Sequence, residues 1–488
     1  MIRIVVVLVL GVGLAAPVAV KTAVGQQASG GEGVPGTPPL YDIHEIAPVA
    51  GYRLSEGLAI TSGGMAAGRS LKYGNSVAFT WTLDGGMVTL PSYPGYSAHS
   101  IPYGVNESGV VVGIGASEPS GDNRIPLIWR DGIVDRLPIP HPDYYSVGQA
   151  YGINAAGIAV GSVGMGTGEV AVIFDGDGAR IIYKRSDQGA YFSVAYAIND
   201  HNVIVGQGVD PDDASRSVPF VYDASTSLPS VRELIPLEGD NGGIAFAVSN
   251  SGYIAGVSNL MSGSPTSVVW DPQGGVREVP TPPGSTGGVM RGVNDAGWAV
   301  GYASSATSVP FLWDGTATYR LQDLIPAGSG WNFEADTAGA AMAITNENVV
   351  VGTGNYRGRD RAFVAIPRAD TPVRTIAIDV KPGSSDNPLN LRARGVLPVT
   401  IPGSAEFRVA SIAPATIRLN GVAPISRLYR DADADGILDL ELKFSIEGLA
   451  AALAGSVSGD PVTLVLTAIL RDRSESVRGE DVVTIVGR

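Results

Sequence analysis

Short apolar stretches and small polar turns alternate along most of the chain, and the alternation repeats. Each repeat has a four-residue turn, a short apolar strand and then a glycine, as in the segment from Asn106 to Gly113. Every turn opens with Asn, Ser or Thr and ends with Gly or Asn, which are residue types typical of hairpin turns. The pattern therefore predicts consecutive β-hairpins. The seven turns open at Thr61, Asn106, Asn154, Asn199, Ser249, Asn294 and Thr345.

The glycine that follows each turn marks the length of the repeat. A third apolar segment comes after it, as in Pro126-Leu127-Ile128-Trp129, and a fourth ends near a proline, as at Leu137-Pro138. Four strands in about 45 residues are typical of a propeller blade. The sequence thus predicts an all-β chain with a seven-bladed β-propeller over residues 41–368. The marker glycines, spaced 45 to 51 residues apart, are Gly68, Gly113, Gly161, Gly206, Gly256, Gly301 and Gly352.

The seventh repeat ends at Pro367 without a fourth strand of its own. Residues 41–48 resemble the fourth-strand segment from Arg320 to Pro326. We therefore expect 41–48 to complete the last blade and to close the ring. An open β-solenoid is the alternative, but it would leave this spare strand unexplained and both ends in need of caps.

Repeated phrases resemble a known family. Gly104-Val105-Asn106, Val111-Val112-Gly113 and Ala78-Phe79-Thr80-Trp81 are similar to the HAF repeats of bacterial extracellular proteins, and the resemblance covers about Glu56 to Pro367. It implies secretion and a β-repeat fold, and it implies no particular reaction. The third-strand phrases lack the histidine that normally precedes Ala-Phe in that family.

The first residues have the pattern of an export signal. Arg3 precedes an apolar run from Ile4 to Ala16, and small residues follow it. This pattern predicts a signal peptide over residues 1–25 and a linker over 26–40. An uncleaved anchor is the alternative, and no later stretch is apolar enough to span a membrane. We expect a bacterial protein that is secreted or on the cell surface, or else periplasmic.

Composition and charge restrict the partners. The chain has 65 glycines, 33 prolines, no cysteine and a net charge of −14. The missing cysteines exclude disulfides and thiol chemistry. The negative charge disfavours nucleic acid and anionic lipid as partners. We expect a monomer that binds a glycan or an extracellular protein.

The long connections of the blades are expected on one face of the disc, together with aromatic side chains. Exposed rings beside polar groups are suited to stacking on sugars or to anchoring a protein. The alternative is that these rings pack over the blade edges as part of the core. The candidate ligand-binding residues are Tyr93, Tyr96, Tyr144, Tyr145, Tyr191, Phe192, Trp331 and Phe333.

Catalytic motifs are scarce in the sequence. The four histidines, His44, His99, His141 and His201, are scattered, and the first strands are expected to line the channel mainly with Ala, Ile, Val and Gly. We therefore assign no catalytic residue and favour a non-enzymatic binding or scaffold protein. The alternatives are an extracellular polysaccharide hydrolase or lyase, and a purely structural envelope component.

The repeat ends before a linker at 369–375, and residues 376–488 predict a β-sandwich with one short helix near Ile446 to Ala454. This part contains the acidic loop from Asp431 to Asp439. Alternating oxygen ligands and a glycine for the sharp turn predict a Ca²⁺ site, although Leu442 replaces the glutamate of an EF-hand. An ordinary acidic turn is the alternative. The predicted ligands are Asp431, Asp433, Asp435, the carbonyl of Ile437, and Asp439.

Phrases in this part also resemble a known module. Asp379-Val380-Lys381-Pro382-Gly383-Ser384 and Gly395-Val396-Leu397-Pro398-Val399, together with the acidic loop, are similar to a module at the end of secreted bacterial proteins. The resemblance implies an accessory domain that calcium stabilises, with no activity attached to it.

Overall fold

The computed structural model describes residues 39–486, apart from positions 119, 122, 144, 166–167, 177, 183–190, 226–228, 259–262, 336–338, 369–372, 385 and 473. The predicted signal peptide and nearly all of the following linker lie outside the described residues. The chain divides into two compact units. The first unit contains residues 43–312 and 330–366, and the second contains the described residues of 29–42, 313–329 and 367–488.

The propeller is built from four-stranded antiparallel blades that follow one another along the chain, and a parallel contact between Ser76 and His99 joins blades one and two into one eight-stranded sheet. A single strand, β1 (Tyr41–Ile46), comes before them. Blades one and two are β2 (Leu54–Ile60), β3 (Ala66–Lys72), β4 (Asn75–Thr82), β5 (Gly86–Thr89), β6 (His99–Val105), β7 (Val111–Ala116), β8 (Arg124–Arg130) and β9 (Ile133–Arg136). Blades three and four are β10 (Val147–Ile153), β11 (Ala159–Met165), β12 (Gly168–Asp175), β13 (Gly178–Ile181), β14 (Tyr191–Ile198), β15 (Val203–Val209), β16 (Ser217–Asp223) and β17 (Ser230–Glu233).

The remaining blades have the same order. Blades five and six are β18 (Gly243–Val248), β19 (Ile254–Ser258), β20 (Thr266–Trp270), β21 (Val276–Glu278), β22 (Gly287–Val293), β23 (Ala299–Ser304), β24 (Ser308–Trp313) and β25 (Thr318–Arg320). Blade seven has three strands from the end of the repeat region, which are β26 (Ala340–Ile344), β27 (Val350–Tyr356) and β28 (Arg359–Pro367).

The ring is closed at two levels. The sheet of blade seven has the order β1-β28-β27-β26, so the strand from the front of the described chain is its outermost member. The first strand of each blade also contacts the first strand of the next, and β26 contacts β2. An open solenoid would keep β26 and β2 apart. The described residues from Tyr41 to Pro367 therefore form a seven-bladed β-propeller, as the repeat predicts.

The repeated glycines allow two strands to approach closely. A Cβ added at Gly161 would lie 1.9 Å from the carbonyl oxygen of Gln149, which is shorter than any contact a side chain can make. The other six marker glycines face a first-strand carbonyl in the same way, at 1.9–2.2 Å. Each glycine pairs with the residue just before a β-bulge in the first strand, so its missing side chain makes room for that bulge.

The turn-opening asparagines join neighbouring blades. The Oδ1 atom of Asn199 accepts the backbone N–H groups of His201 and Val203, and its Nδ2 atom donates to the carbonyl of Ser249 in the next blade at 2.9 Å. Asn106, Asn154 and Asn294 donate to the following turn in the same way. One side chain thus fixes its own turn and the adjacent blade.

The described residues of the second unit from Val373 onward form a sandwich of two sheets. One sheet has the order β29-β37-β36-β33, with β31 also paired to β37, and the other has the order β30-β32-β35-β34. The strands are β29 (Val373–Thr375), β30 (Asp379–Val380), β31 (Pro388–Asn390), β32 (Val396–Ile401), β33 (Arg418–Leu419), β34 (Ser426–Arg430), β35 (Asp439–Ser445), β36 (Pro461–Ile469) and β37 (Ser476–Val486). Strand β29 occupies the end of the predicted linker 369–375.

Helices are few and short in the described residues. They are α1 (Leu321–Leu324), α2 (Ile446–Ala452) and two 3-10 turns, Val409–Ser411 and Pro414–Thr416. Helix α2 begins after Ser445, whose hydroxyl oxygen accepts the N–H of Gly448. None of the helices in this part of the chain is long and apolar enough to span a membrane. Buried apolar side chains such as Leu397, Phe444 and Leu464 form the core of the sandwich.

Candidate binding site

One position in the first strand of each blade, which is the innermost strand of the ring, is displaced from the sheet. The residue lies three positions before the turn opener, in a β-bulge that the facing glycine permits. A bulge takes its residue out of the ladder and redirects the side chain. All seven side chains are half-buried. We call this set the channel tier, and its members are Leu58, Tyr103, Tyr151, Tyr196, Phe246, Arg291 and Met342.

Four consecutive members of the channel tier are aromatic and touch one another. The ring centroids are 5.0 Å apart between Tyr103 and Tyr151, and 5.2 Å apart both between Tyr151 and Tyr196 and between Tyr196 and Phe246. The planes are tilted by 45–55°. These distances and tilts are favourable for aromatic pairs. The four rings form a continuous aromatic arc over blades two to five.

Arg291 continues the arc in blade six. Its guanidinium carbon lies 4.2 Å from the centroid of the Phe246 ring, within the range of a cation–π contact. Among the residues that the structure describes, no carboxylate lies within ion-pairing distance of this guanidinium. Arg291 is therefore a half-buried cation that lies over an aromatic face.

Charged side chains of blades one, two and three act electrostatically on the phenols of the arc. Glu56 accepts from Arg69 Nε at 2.6 Å, and Glu169 is paired with Arg124. The hydroxyl of Ser162 also donates to Glu169, at 2.9 Å. Each of these carboxylates is thus paired with an arginine.

Burial changes the acidity of the three phenols. Desolvation raises the pKa of Tyr103, raises the pKa of Tyr151 well above its ordinary value, and raises the pKa of Tyr196 to about 12. The neighbouring arginines oppose this effect on Tyr103 and Tyr196 without cancelling it. At neutral pH all three phenols are protonated and are hydrogen-bond donors, and the Tyr196 hydroxyl donates to Gln207 Oε1 at 3.5 Å.

The channel lining differs from the expectation of mainly Ala, Ile, Val and Gly. That composition holds for much of each first strand, but the bulged position carries the large side chains. The signal is present in the sequence as a bulky residue followed by Gly or Ala three places before the turn, as in Tyr103-Gly104 and Tyr196-Ala197. The bulky residue lies at the channel only because of the bulge, and the bulge arises from the pairing with the strand that carries the marker glycine.

Three of the predicted aromatic ligand residues are buried. Phe192 stacks on Phe220 with centroids 4.2 Å apart, and Trp331 stacks on Phe333, which also contacts Phe363. Phe192 and Trp331 are only 4% and 6% exposed. These three rings therefore belong to the core, which was the alternative considered from the sequence, and the expectation that they face solvent is wrong.

The other predicted aromatic residues have mixed environments. Tyr93 and Tyr96 lie 6.1 Å apart and pack, half-buried, against the core of blade two. Tyr145 is also half-buried, against the core of blade three. Tyr191 is 51% exposed. Tyr144 lies outside the described residues.

The histidines are not brought together. His44 lies on β1, and the Nδ1 atom of His99 is 3.0 Å from the hydroxyl of Ser76. His201 belongs to a hairpin turn, where its Nδ1 atom is 3.1 Å from the carbonyl of Asn250. None of the four is a member of the channel tier, so the tier contains no imidazole.

The acidic loop of the second unit brings three carboxylates together. Oxygen atoms of Asp431, Asp433 and Asp439 all lie within 4.8 Å of one another. The loop turns sharply through Ala434 and Gly436, which have positive φ angles of 65° and 88°. Three carboxylates at this separation repel one another unless a cation lies between them. Hard oxygen donors at this spacing fit Ca²⁺.

The remaining predicted ligands have different positions. Asp435 Oδ1 accepts the N–H of Ile437 at 2.7 Å, and Asp435 is not part of the close cluster. Asp439 is buried, and its two oxygens accept the N–H groups of Gly403 and Ala432. Asp439 therefore anchors the loop to the sandwich as well as facing the cluster.

The chain matches no known protein family and no curated protein. Among solved structures it is similar to streptogramin B lyase, with a TM-score of 0.43, 12% identity, and coverage of 67% of this chain and 98% of that one. A puromycin hydrolase is similar with a TM-score of 0.40 and 12% identity, over 74% of this chain and 60% of that one. A prolyl endopeptidase is similar with a TM-score of 0.39 and 11% identity, over 71% of this chain and 54% of that one. This chain therefore spans little more than half of that enzyme. The likeness concerns strand architecture alone.

Proposed function

We propose that this chain is a non-enzymatic binding protein of the bacterial exterior, and that its propeller recognises a glycan or an extracellular protein. The observation that carries the proposal is the aromatic arc of four touching rings, Tyr103, Tyr151, Tyr196 and Phe246, in the channel tier. Half-buried aromatic rings with polar edges bind sugars and protein side chains by stacking and hydrogen bonding.

The chemistry of the tier favours binding over catalysis. A hydrolase or lyase needs at least one group that takes up a proton near neutral pH. The phenols of the tier are protonated well above that range, and Glu56 and Glu169 are each paired with an arginine. The groups that face the channel can donate hydrogen bonds and offer ring faces, which are properties of a recognition site.

The second unit adds a proposed Ca²⁺ site. Asp431, Asp433 and Asp439 would provide carboxylate oxygens, while Asp435 and the carbonyl of Ile437 would complete the shell. Its role would be to stabilise the loop that connects β34 and β35. Export to the cell exterior is proposed on the basis of residues 1–25 and of the resemblance to HAF repeats.

Binding can be tested on a glycan and protein array. Wild type is compared with Tyr151→Ala and Tyr196→Ala, with Tyr191→Ala for the predicted loop face, and with Tyr73→Ala, whose ring is 81% exposed at a blade turn, as the control. We expect hits that weaken at least tenfold in the two channel variants and persist in the control. They should also survive alanine substitution of all four histidines.

Two results would contradict this proposal. A turnover product from any polysaccharide would show an enzyme. An array on which wild type and all variants give no hits would leave the chain without a binding function. Loss of the hits in Tyr191→Ala alone would keep the binding function and move it to the loop face.

A further inference from the structure

Arg291 is the single charged member of the channel tier, and its surroundings restrict the ligand. The guanidinium is half-buried, lies over Phe246, and has no carboxylate within ion-pairing distance in the described part of the chain. Removing water from a cation is unfavourable unless an anion or hydrogen-bond acceptors replace it. The guanidinium would therefore gain, from a ligand that carries an anionic group, a partner that the described residues do not supply.

The charges around the arc leave one cation in excess. The charged groups that act on the three phenols are Arg69, Arg124, Arg291, Glu56 and Glu169. Three positive and two negative groups leave a net charge of +1, and both carboxylates are paired with arginines other than Arg291. The excess charge is thus located on Arg291, in a chain whose net charge is −14.

The neighbours of Arg291 complete a recognition site. Arg291 acts electrostatically on both Tyr103 and Tyr196, which lie on different blades, so its charge is felt across the channel. The protonated phenols donate hydrogen bonds, and carboxylate and sugar oxygens accept them. The exposed parts of the aromatic rings offer apolar surface to the C–H face of a pyranose.

We propose that the channel tier binds the end of a saccharide that carries one carboxylate, a terminal uronate. The carboxylate pairs with Arg291, and the sugar ring packs on Tyr151 and Tyr196. This inference rests on the binding function proposed above and names the ligand class for the same site.

The turns explain why a single carboxylate is favoured over a polyanion. Glu107, Asp200 and Asp295 lie on the turns, where each accepts a backbone N–H from the neighbouring turn. Three residues separate the tier from the turns, roughly 10 Å along a strand. At physiological salt charges are screened over about 8 Å, so a lone carboxylate at Arg291 is little affected by these acids. Further carboxylates on a chain that extends towards the turns would lie beside these acids and be repelled.

The test uses the full chain and two probes that differ only in charge. Cellobiouronic acid and its methyl ester are titrated by calorimetry into wild type, Arg291→Met, Arg291→Lys and the control Arg277→Met. Arg277 is exposed on the outermost strand β21, far from the tier in the blade. We expect the acid to bind at least tenfold more tightly than the ester. Arg291→Met should abolish this preference, Arg291→Lys should keep part of it, and the control should keep all of it.

The outcomes separate this inference from the function beneath it. Equal binding of acid and ester, or a preference that survives in Arg291→Met, would overturn the uronate assignment while the binding function stands. The uronate assignment is also overturned, and the binding function stands, if neither probe binds but the array hits still depend on Tyr151. If neither probe binds and the array is empty as well, both proposals fall. Circular dichroism of each variant shows whether a loss comes from misfolding, in which case Arg291→Lys provides the decision.

Discussion

The guanidinium of Arg361 donates to the Oε1 atom of Glu45 at 2.9 Å, across 316 residues of sequence. Arg361 lies on β28 and Glu45 on β1, so the ion pair joins the two strands that close the last blade. The same guanidinium donates to the carbonyl of Arg53 at 2.8 Å, and Arg361 is only 8% exposed. Ring closure thus includes a buried cation that bonds to two residues from the front of the described chain, in addition to the carbonyl of Asp360.

Arg361→Met should lower the free energy of unfolding by about 2 kcal/mol, because it leaves the carbonyl oxygens of Arg53 and Asp360 without their donor, while the exposed Glu45 carboxylate becomes hydrated. Urea denaturation followed by circular dichroism measures the change. Arg368→Met is the matched control, since Arg368 pairs with the exposed Asp42 at 2.8 Å and should cost at most about 1 kcal/mol. Equal effects of the two variants would contradict a special role for the buried arginine.

Asn199 provides a second test, of the contact between blades. Asn199→Ala removes three hydrogen bonds, two within the turn and one to Ser249, and should cost about 3 kcal/mol. Asn199→Ser should cost about 1 kcal/mol, because the hydroxyl can hold the turn as Ser249 does for the N–H of Tyr253 in the next blade. Denaturation midpoints compare the two. A serine variant as unstable as the alanine variant would mean that the bond between blades carries the whole effect.

The repeat could be predicted from the sequence because its determinants are local. Turn residues such as Asn199 and marker glycines such as Gly161 occur at fixed distances, and each has a direct backbone role. The number of blades follows from counting them. The short helix α2 could also be predicted from the sequence, because a strand ends at Ser445 and an apolar run follows.

The functional side chains were harder to predict from the sequence, because their burial depends on contacts between strands. Tyr191 and Phe192 are adjacent and both aromatic, yet one is exposed and the other stacks on Phe220. They begin β14, where successive residues face opposite sides, whereas the sequence placed them in a loop. Likewise, Tyr151 faces the channel only because Gly161 on the next strand permits the bulge.

The acidity of Tyr196 predicts an alkaline loss of stability. Because its pKa in the folded chain is about 12 and the ordinary value is 10.0, the protonated phenol stabilises the fold fully below pH 10. This contribution falls as the pH rises from 10 to 12. In Tyr196→Phe the ring cannot ionise, so the stability of wild type relative to this variant should decrease across that range. Urea midpoints at a series of pH values measure it, with Tyr73→Phe as the control. A difference that stays constant with pH would contradict the buried phenol.

Calcium should stabilise the second unit through the acidic loop. At a concentration one hundred times the dissociation constant, Ca²⁺ should add about 2.7 kcal/mol to the free energy of unfolding, and a chelator should remove it. Asp433→Asn should weaken calcium affinity at least tenfold and leave the calcium-free stability unchanged. Asp439→Asn should also destabilise the calcium-free chain by about 2 kcal/mol, because its carboxylate accepts the N–H groups of Gly403 and Ala432.

Calorimetric titration with Ca²⁺, and with Mg²⁺ as the control ion, measures the affinity in each variant. Mg²⁺ should bind more weakly, because it prefers a smaller octahedral shell. Indistinguishable unfolding curves with Ca²⁺ and with chelator would identify the loop as an ordinary acidic turn.

Gly161→Ala tests whether the glycine and the bulge depend on each other. The new methyl group would lie 1.9 Å from the carbonyl oxygen of Gln149, so β10 and β11 must separate, at a cost of about 3 kcal/mol. The displacement would also move Tyr151, which lies next to Ala150, the residue paired with Gly161. Gly168→Ala is the control, because it lies in the same blade with nothing within 4 Å of the added Cβ. Thermal unfolding should show a large loss for Gly161→Ala and almost none for Gly168→Ala. If both variants unfolded at the wild-type temperature, the close strand contact would not be the reason for the repeated glycine.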